Sequence, residues 1–479
     1  MVLFLLFACK PDPQALPLPE AIAVVPDTGN DRVAYVKLTD DALVYSLDLR
    51  ALAPDDCGAQ FGGTAPPDAT CLPFQADPET VTDPDGTIHD EITLAYDREA
   101  SDPYYERTAI ERVRLPASGQ PSPDSVRWRL DTLDFQTNFA GDDDACINAN
   151  PCEDHAEDST ALLALALRCG LAHVHDYDIL AEDDASLDLL IADSVNERAL
   201  TVHLDKSTTC GVVTSVLDDV HAPGWSIGRT PNDIDAVPLD DGSIGALVTF
   251  RSSNGDTTAG GLADGGDGNG MVMLYTPSAD GWSHAWTFPS TGFLNSPHDT
   301  SIFTSASGGR FLVGAHSDGN GESLQAGWKL PTDSRGSVSV SEFGGDLAVA
   351  PDYRFDVVVD ATDADPGLGF IRSAHPYVVG TPGDADPAGV DWVITDSGCM
   401  SPAAGCQHLP GVRSIQFDLD DPTNGAAPGD FVTDRADQTD VSALTSPSVN
   451  CSFAVPYTVD LLWTTGDAVG GAVAGTCGG

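Results

Sequence analysis

The chain has 479 residues and carries 74 Asp plus Glu against 22 Lys plus Arg, a formal charge of −52. Of the acids 62 are Asp, and only four of the bases are Lys. Such a charge repels phosphate backbones and excludes nucleic acid as a partner, while 41% hydrophobic residues exclude a wholly disordered chain. The 47 Gly, 34 Pro and abundant Asp are turn formers. Together they predict a large all-β protein with many turns.

The first residues, Met1 to Lys10, are a short apolar run ending Leu6-Phe7-Ala8-Cys9 before a polar, Pro-rich stretch. This resembles the tail of a bacterial lipoprotein signal, with Leu6 at −3, Ala8 at −1 and Cys9 as the lipidated residue. Phe7 is bulky for −2, and no Lys or Arg precedes the run. The reading is a signal segment over residues 1–9, a tether over 10–18 and a single folded unit over 19–479. No later stretch approaches the ~18 consecutive apolar residues of a membrane-spanning helix, so membrane attachment is expected through the lipid alone. The expected location is the bacterial cell envelope, at the outer membrane or cell surface, or else periplasmic or secreted.

The eleven cysteines agree with export. With Cys9 assigned to the lipid, ten remain, in neighbouring pairs: Cys57/Cys71, Cys146/Cys152, Cys169/Cys210, Cys399/Cys406 and Cys451/Cys477. No CxxC and no zinc-finger histidine spacing occurs, so loop-stapling disulfides in an oxidising compartment are expected rather than thiolate metal sites.

Along the chain two patterns recur. Asp27-Thr28-Gly29-Asn30-Asp31-Arg32 matches Asp193-Ser194-Val195-Asn196-Glu197-Arg198, each between two apolar runs. The shared D-[ST]-x-N-x-R text reads as a hairpin loop between strands. The second pattern is a His-Asp or Asn-Asp step leading into a strand, at His89-Asp90, His175-Asp176, Asn232-Asp233 and His298-Asp299, with a degenerate copy at His375. Turns and second strands follow three of them, at Leu187 to Ala192, Ile244 to Phe250 and Phe311 to Ala315. Four short strands per ~50–70 residues is the signature of a β-propeller. Six blades fit best, with seven or eight also compatible with the length. Pro-, Gly- and Asp-rich insertions near residues 51–87, 138–160, 253–270 and 415–450 read as loops, several of them disulfide-stapled. Leu163, Leu165 and Leu167 alternate as in a strand. The seven tryptophans are spread as blade-packing residues would be.

The segments His173-Val174-His175-Asp176 and Leu294-Asn295-Ser296-Pro297-His298-Asp299, with the strands after them, resemble repeats of bacterial arylsulfotransferase-like and NHL-type propellers. The resemblance covers about residues 20–40 and 170–320. It implies a channel histidine that takes a sulfuryl group from an aryl sulfate and passes it to a phenol. His175 or His298 would be the nucleophile, with Asn232 at the equivalent place and Arg198, Arg251 or Arg310 as cations for the sulfate oxygens. The competing reading is a non-catalytic binding or scaffold propeller, monomeric, that engages a protein or glycan through its loops.

No cofactor is expected, with calcium left open. The best candidate is Asp264, Asp267 and Asn269 in a Gly-rich loop, followed by Asp318-Gly-Asn320-Gly-Glu322 and Asp142 to Asp144; none has full EF-hand spacing. Nucleophile-elbow and H-E-x-x-H motifs are absent.

Overall fold

In a computed structural model, the described residues are 20–28, 31–37, 42–52, 71–99, 106–116, 119–131, 135–137, 171, 173–194, 198–207, 210–217, 230–252, 270–279, 281–288, 297–304, 310–317, 323–330, 353–357, 371–378, 390–396, 411–417 and 456–464. They are almost entirely strand and form six sheets.

The first blade takes β1 (Glu20–Asp27), β2 (Arg32–Lys37) and β3 (Ala42–Asp48) from the beginning of the chain. A one-turn helix, α1 (Leu49–Leu52), follows. The second blade is β4 (Cys71–Thr82), β5 (Ile88–Glu99), β6 (Glu106–Arg114) and β7 (Val126–Asp131). In the third, β9 (Val174–Glu182), β10 (Ser186–Asp193), β11 (Arg198–Asp205) and β12 (Cys210–Leu217) are joined by an outer parallel strand, β8 (Phe135–Thr137). The fourth is β13 (Thr230–Pro238), β14 (Ile244–Ser252), β15 (Met271–Ser278) and β16 (Gly281–Phe288). The fifth is β17 (Pro297–Thr304), β18 (Arg310–Ser317), β19 (Ser323–Lys329) and β20 (Tyr353–Val357). The sixth holds β21 (Ile371–Val378), β22 (Val390–Asp396) and β23 (Gly411–Phe417). Finally β24 (Asp460–Thr464) pairs antiparallel with β1 and completes the first blade.

One strand per sheet faces the axis: β24, β4, β9, β13, β17 and β21 in turn. Each contacts the next, and β21 contacts β24, so the circle closes. Closure covers the blade faces that an open array would expose and leaves each blade only a short outer edge. It joins the two ends of the chain in one blade.

Packing follows from the two faces of each strand. In β10, Leu189 and Ile191 pack toward the second blade with Trp128 and Leu130. Leu190 and Ala192, on the opposite face, pack toward the fourth with Val248 and Met273. Because successive side chains alternate faces and both faces are covered, the strand reads as a continuous apolar run. Trp128 and Trp286 are both core residues, as expected of blade-packing tryptophans.

Blades approach closely where glycine stands. A Cβ at Gly270 would lie 2.1 Å from Cδ of Pro297 at the start of β17 and 2.9 Å from the Arg251 carbonyl. Gly270→Ala is therefore expected to cost about 1–3 kcal/mol by overpacking. Urea unfolding would register it as a lower midpoint, and an unchanged midpoint would show that the fourth and fifth blades pack less tightly than this.

The structure revises two details of the repeat. Segment 51–87, read as a loop insertion, contains β4, an inner strand. His89-Asp90 lies in β5, the second strand of its blade, where His89 pairs with Glu91 at 2.9 Å; it is not an inner-strand copy of the motif. The insertion at 138–160, the segment around Leu163 to Leu167 and all but Gly270 of 253–270 lie outside the described residues; of the loop expected at 415–450, residues 415–417 end β23 and the rest lie outside as well.

Candidate functional site

The inner strands share one irregularity at one level. Each breaks register with its neighbour at this level, in most cases by a β-bulge with one extra residue. In β4 the pairing jumps from Pro73 to Gln75, leaving Phe74. In β9 it leaves His175, in β13 Asn232, in β17 His298 and in β21 Arg372. On the first blade, Asp27 pairs with Pro456 and Val24 with Asp460, one residue more on the C-terminal side, with Tyr457 amide bonded to the Pro26 carbonyl. Bulges re-aim side chains and are frequent beside functional sites. Here these positions form a ring where the inner strands begin.

Five ring members have described side chains, and these converge. The Phe74 ring stacks on His175 at 5.5 Å between centroids and meets Tyr457 edge-on at 4.9 Å. His175 and His298 are 6.3 Å apart, and His298 and Tyr457 6.5 Å. The Tyr457 hydroxyl bonds His175 Nε2. Asn232 Nδ2 lies 3.1 Å from His298 Nδ1 and donates to the His298 carbonyl at 2.7 Å. His175, Asn232 and His298 are all buried. Just outside, His173 meets Phe74 edge-on at 4.8 Å, and its Nδ1 bonds the Asp97 carboxylate. His173 holds a positive φ of 55°, uncommon for a residue other than glycine.

The aspartates of the His-Asp step have a different task. Asp176 Oδ2 accepts the Ile234 amide at 2.8 Å, and Asp233 Oδ2 accepts the Thr300 amide at 2.9 Å and the Thr249 hydroxyl at 3.1 Å. Two residues further along, Asp178 accepts the Ala236 amide at 2.7 Å, and Asp235 accepts the Ser301 hydroxyl. Each bond between backbone amide and carboxyl runs from one inner strand to the next, so this ladder fastens neighbouring blades. Burial raises these carboxyls well above the ordinary carboxylate value at Asp176, Asp233 and Asp235, and raises Asp178 in the same direction. Repulsion from Asp299 pushes Asp233 further the same way. Asp77 is raised by burial and then by Asp460.

Both D-[ST]-x-N-x-R loops prove to be clasps. Arg32 Nε bonds Asp27 Oδ2 at 3.0 Å, and Arg198 Nε bonds Asp193 Oδ2 at 2.9 Å, across the hairpin. The adjoining hydroxyl then reaches the next blade: Thr28 Oγ1 to the Pro73 carbonyl at 2.7 Å, and Ser194 Oγ to the Pro231 carbonyl. Pro73 and Pro231 immediately precede ring residues, so the clasps hold the ring's backbone.

Of the expected site residues, the fold brings His175, His298 and Asn232 together. Arg198 stands in the clasp, bonded to Asp193. Arg251 lies near the end of β14, and Arg310 opens β18. His375 lies in β21, three residues past its bulge. Phe74, Tyr457, His173, Asp97 and Arg372 were not among the expected site residues. One signal does mark several: proline precedes the bulge residue at Pro73-Phe74, Pro231-Asn232, Pro297-His298 and Pro456-Tyr457. A proline at a strand start gives up no ladder donor.

Cys71 is buried at the start of β4 and is disulfide-bonded, its partner lying outside the described side chains. Cys9, Cys57, Cys146, Cys152, Cys169, Cys399, Cys406, Cys451 and Cys477 lie outside the described residues, and Cys210 contributes only backbone to β12. The calcium candidates Asp264, Asp267 and Asn269 also lie outside, as do Asp142 to Asp144 and Asp318 to Glu322. Among the described residues, no group of three or more His, Cys, Asp or Glu side chains is arranged to hold a metal ion.

No protein-family model matches the chain, and no curated protein matches its sequence. Solved structures do. A hypothetical selenium-binding protein from Sulfolobus tokodaii matches with a TM-score of 0.38 and 10% identity, over 96% of each chain. A putative 6-phosphogluconolactonase from Bacteroides fragilis matches with a TM-score of 0.37 and 10% identity, over 94% of this chain and 100% of that one. The Dos1 propeller matches with a TM-score of 0.30 and 10% identity, over 81% and 62%. These similarities are too remote to bear on chemistry. The chain is a β-propeller, and its function has to be argued from its own residues.

Proposed function

We propose that this chain is an exported, lipid-anchored β-propeller of the bacterial cell envelope that binds a ligand or partner without transforming it. The observation that carries the reading is the ring of residues at the register breaks where the inner strands begin. It sets aromatic and hydrogen-bonding side chains on a rigid closed frame, as recognition requires. The same packing argues against a nucleophile: His175 is covered by Phe74 and bonded to Tyr457, and His298 is held by Asn232. Cys9 and the paired cysteines support export.

Arylsulfotransferase-like transfer is the second reading, favoured by the convergence of His175, His298 and Asn232. Incubation of the purified protein with aryl sulfates and a phenol acceptor separates the two. The expected result is no turnover across several donors. Turnover by the wild type that His175→Ala or His298→Ala abolishes would establish the enzyme instead. For the anchor, mass spectrometry of membrane-extracted protein is expected to find a lipidated Cys9, and Cys9→Ser to release the chain. An unmodified mature N-terminus would remove the anchor.

A further inference from the structure

One side chain of the ring is tied to nearly every blade. Tyr457 stands at the head of β24, the strand that completes the first blade. Its amide donates to the Pro26 carbonyl of β1 at 2.9 Å, and its carbonyl accepts the Thr395 hydroxyl of β22 at 2.6 Å. Its ring lies edge-on to Phe74 of β4 and to His175 of β9, each at 4.9 Å, with His298 of β17 at 6.5 Å. Its hydroxyl bonds His175 Nε2. The next residue adds a second tie, from Thr458 Oγ1 to the Phe74 carbonyl at 2.8 Å. The first, second, third, fifth and sixth blades thus meet at this point, and the fourth is joined through Asn232 and His298. The strand behind it is held more weakly. β24 pairs five residues with β1, whereas the other inner strands pair seven or more with theirs. Short turns tie the inner strands of the second, third and fourth blades to their partners. Val24 and its partner Asp460 stand 436 residues apart. Such a strand regains conformational entropy on detaching without any other blade having to open.

We propose that residues 456–464 form a strap, the part of the described fold that detaches first, and that Tyr457 is its pin. Because Tyr457 is also a ring member bonded to His175, detachment breaks the ring while the second to fifth blades stay folded. Recognition at the ring is thereby switched off by release of the strap. That last consequence rests on the reading of the ring as a recognition site; the strap rests on its contacts alone.

The test is hydrogen exchange of the full chain in urea below the unfolding transition, followed by mass spectrometry of peptic peptides. Peptides from 456–464 are expected to exchange roughly tenfold faster, or more, than those from β9 to β11 and from β13 to β15. Tyr457→Phe keeps the ring contacts and removes the hydroxyl bond to His175, so strap exchange is expected to rise roughly tenfold further. Exchange in the third and fourth blades is expected to stay as in the wild type. Tyr35→Phe removes a first-blade hydroxyl that makes no hydrogen bond, and is expected not to speed the strap. Labelling of His175 by diethyl pyrocarbonate is expected to accelerate along with strap exchange in Tyr457→Phe. A strap that exchanges no faster than the third and fourth blades, or a Tyr457→Phe variant that matches Tyr35→Phe, would overturn the proposal. His175 labelling that stays at the wild-type rate while strap exchange rises would overturn the link between strap and ring. None of these readouts needs a ligand. Aryl-sulfate turnover would therefore refute the non-catalytic reading and leave the strap standing.

Discussion

Replacing Arg32 by Ala is expected to destabilise the protein by roughly 3–5 kcal/mol, the cost of leaving a buried charge without its partner. Asp27 is fully buried, Arg32 is nearly so, and two guanidinium nitrogens reach the same carboxylate oxygen at 3.0 and 2.9 Å. The hairpin they close carries Thr28, whose hydroxyl holds the Pro73 carbonyl beside Phe74. Loss of the arginine therefore loosens the joint between the first two blades as well as one turn. The double variant Asp27→Asn, Arg32→Met removes both charges and is expected to recover most of the loss, because burying a matched pair brings little net gain. Urea unfolding followed by tryptophan fluorescence measures both, provided the slope of the transition stays constant. A loss below about 1 kcal/mol for Arg32→Ala would mean that the clasp is a consequence of blade packing rather than a support for it. Arg198→Ala tests the same device between the third and fourth blades.

Stability should rise when the pH falls from neutral toward the ordinary carboxylate value near 4, the reverse of usual acid denaturation. The inner-strand carboxyls of Asp77, Asp176, Asp178, Asp233 and Asp235 are raised in the folded protein, chiefly by burial. A group raised on folding contributes stability that is fully present below its unfolded value. That contribution disappears as pH climbs through the folded value. Exposed turn residues act oppositely. Asp85, Asp183 and Asp241 are lowered by bonds to their own turns, principally from Thr87, Ala185 and Ser243, so their contribution is lost as pH falls below the ordinary value. The optimum should consequently lie in mild acid. Relief of the overall −52 charge pushes the same way, so a control is needed. Asp233→Asn with Asp235→Asn should flatten the dependence of unfolding temperature on pH between 4 and 8, whereas Asp184→Asn, at an exposed turn, should not. An unfolding temperature that falls steadily on acidification from neutral would overturn the argument.

Different parts of this architecture were legible to different degrees. Hairpins were readable because their chemistry is local: Asp27 and Arg32 stand five apart, and so do Asp193 and Arg198, and turn residues flank them. Apolar runs bounded by turn residues marked β10, β14 and β18 for the same reason. The His-Asp step was recognised at His175, Asn232 and His298 but extended wrongly to His89, because similar text occurs in an inner strand and in a second strand. His375 drew attention from Arg372 in the sixth blade, since a bulge leaves no trace in composition. Phe74 and Tyr457 share the ring position without sharing the motif, and only their preceding prolines hinted at it.

Composition, alternation and turn spacing by themselves determined an all-β repeat protein, acidic, with His-Asp steps at its inner strands. These are properties of neighbouring residues, and neighbouring residues suffice to dictate strands and turns. The ring was decided by tertiary structure alone. Tyr457 reaches His175 from 282 residues away, and it does so because β24 closes the circle against β1. Pairing across that distance depends on the register of six sheets at once, which no local pattern records.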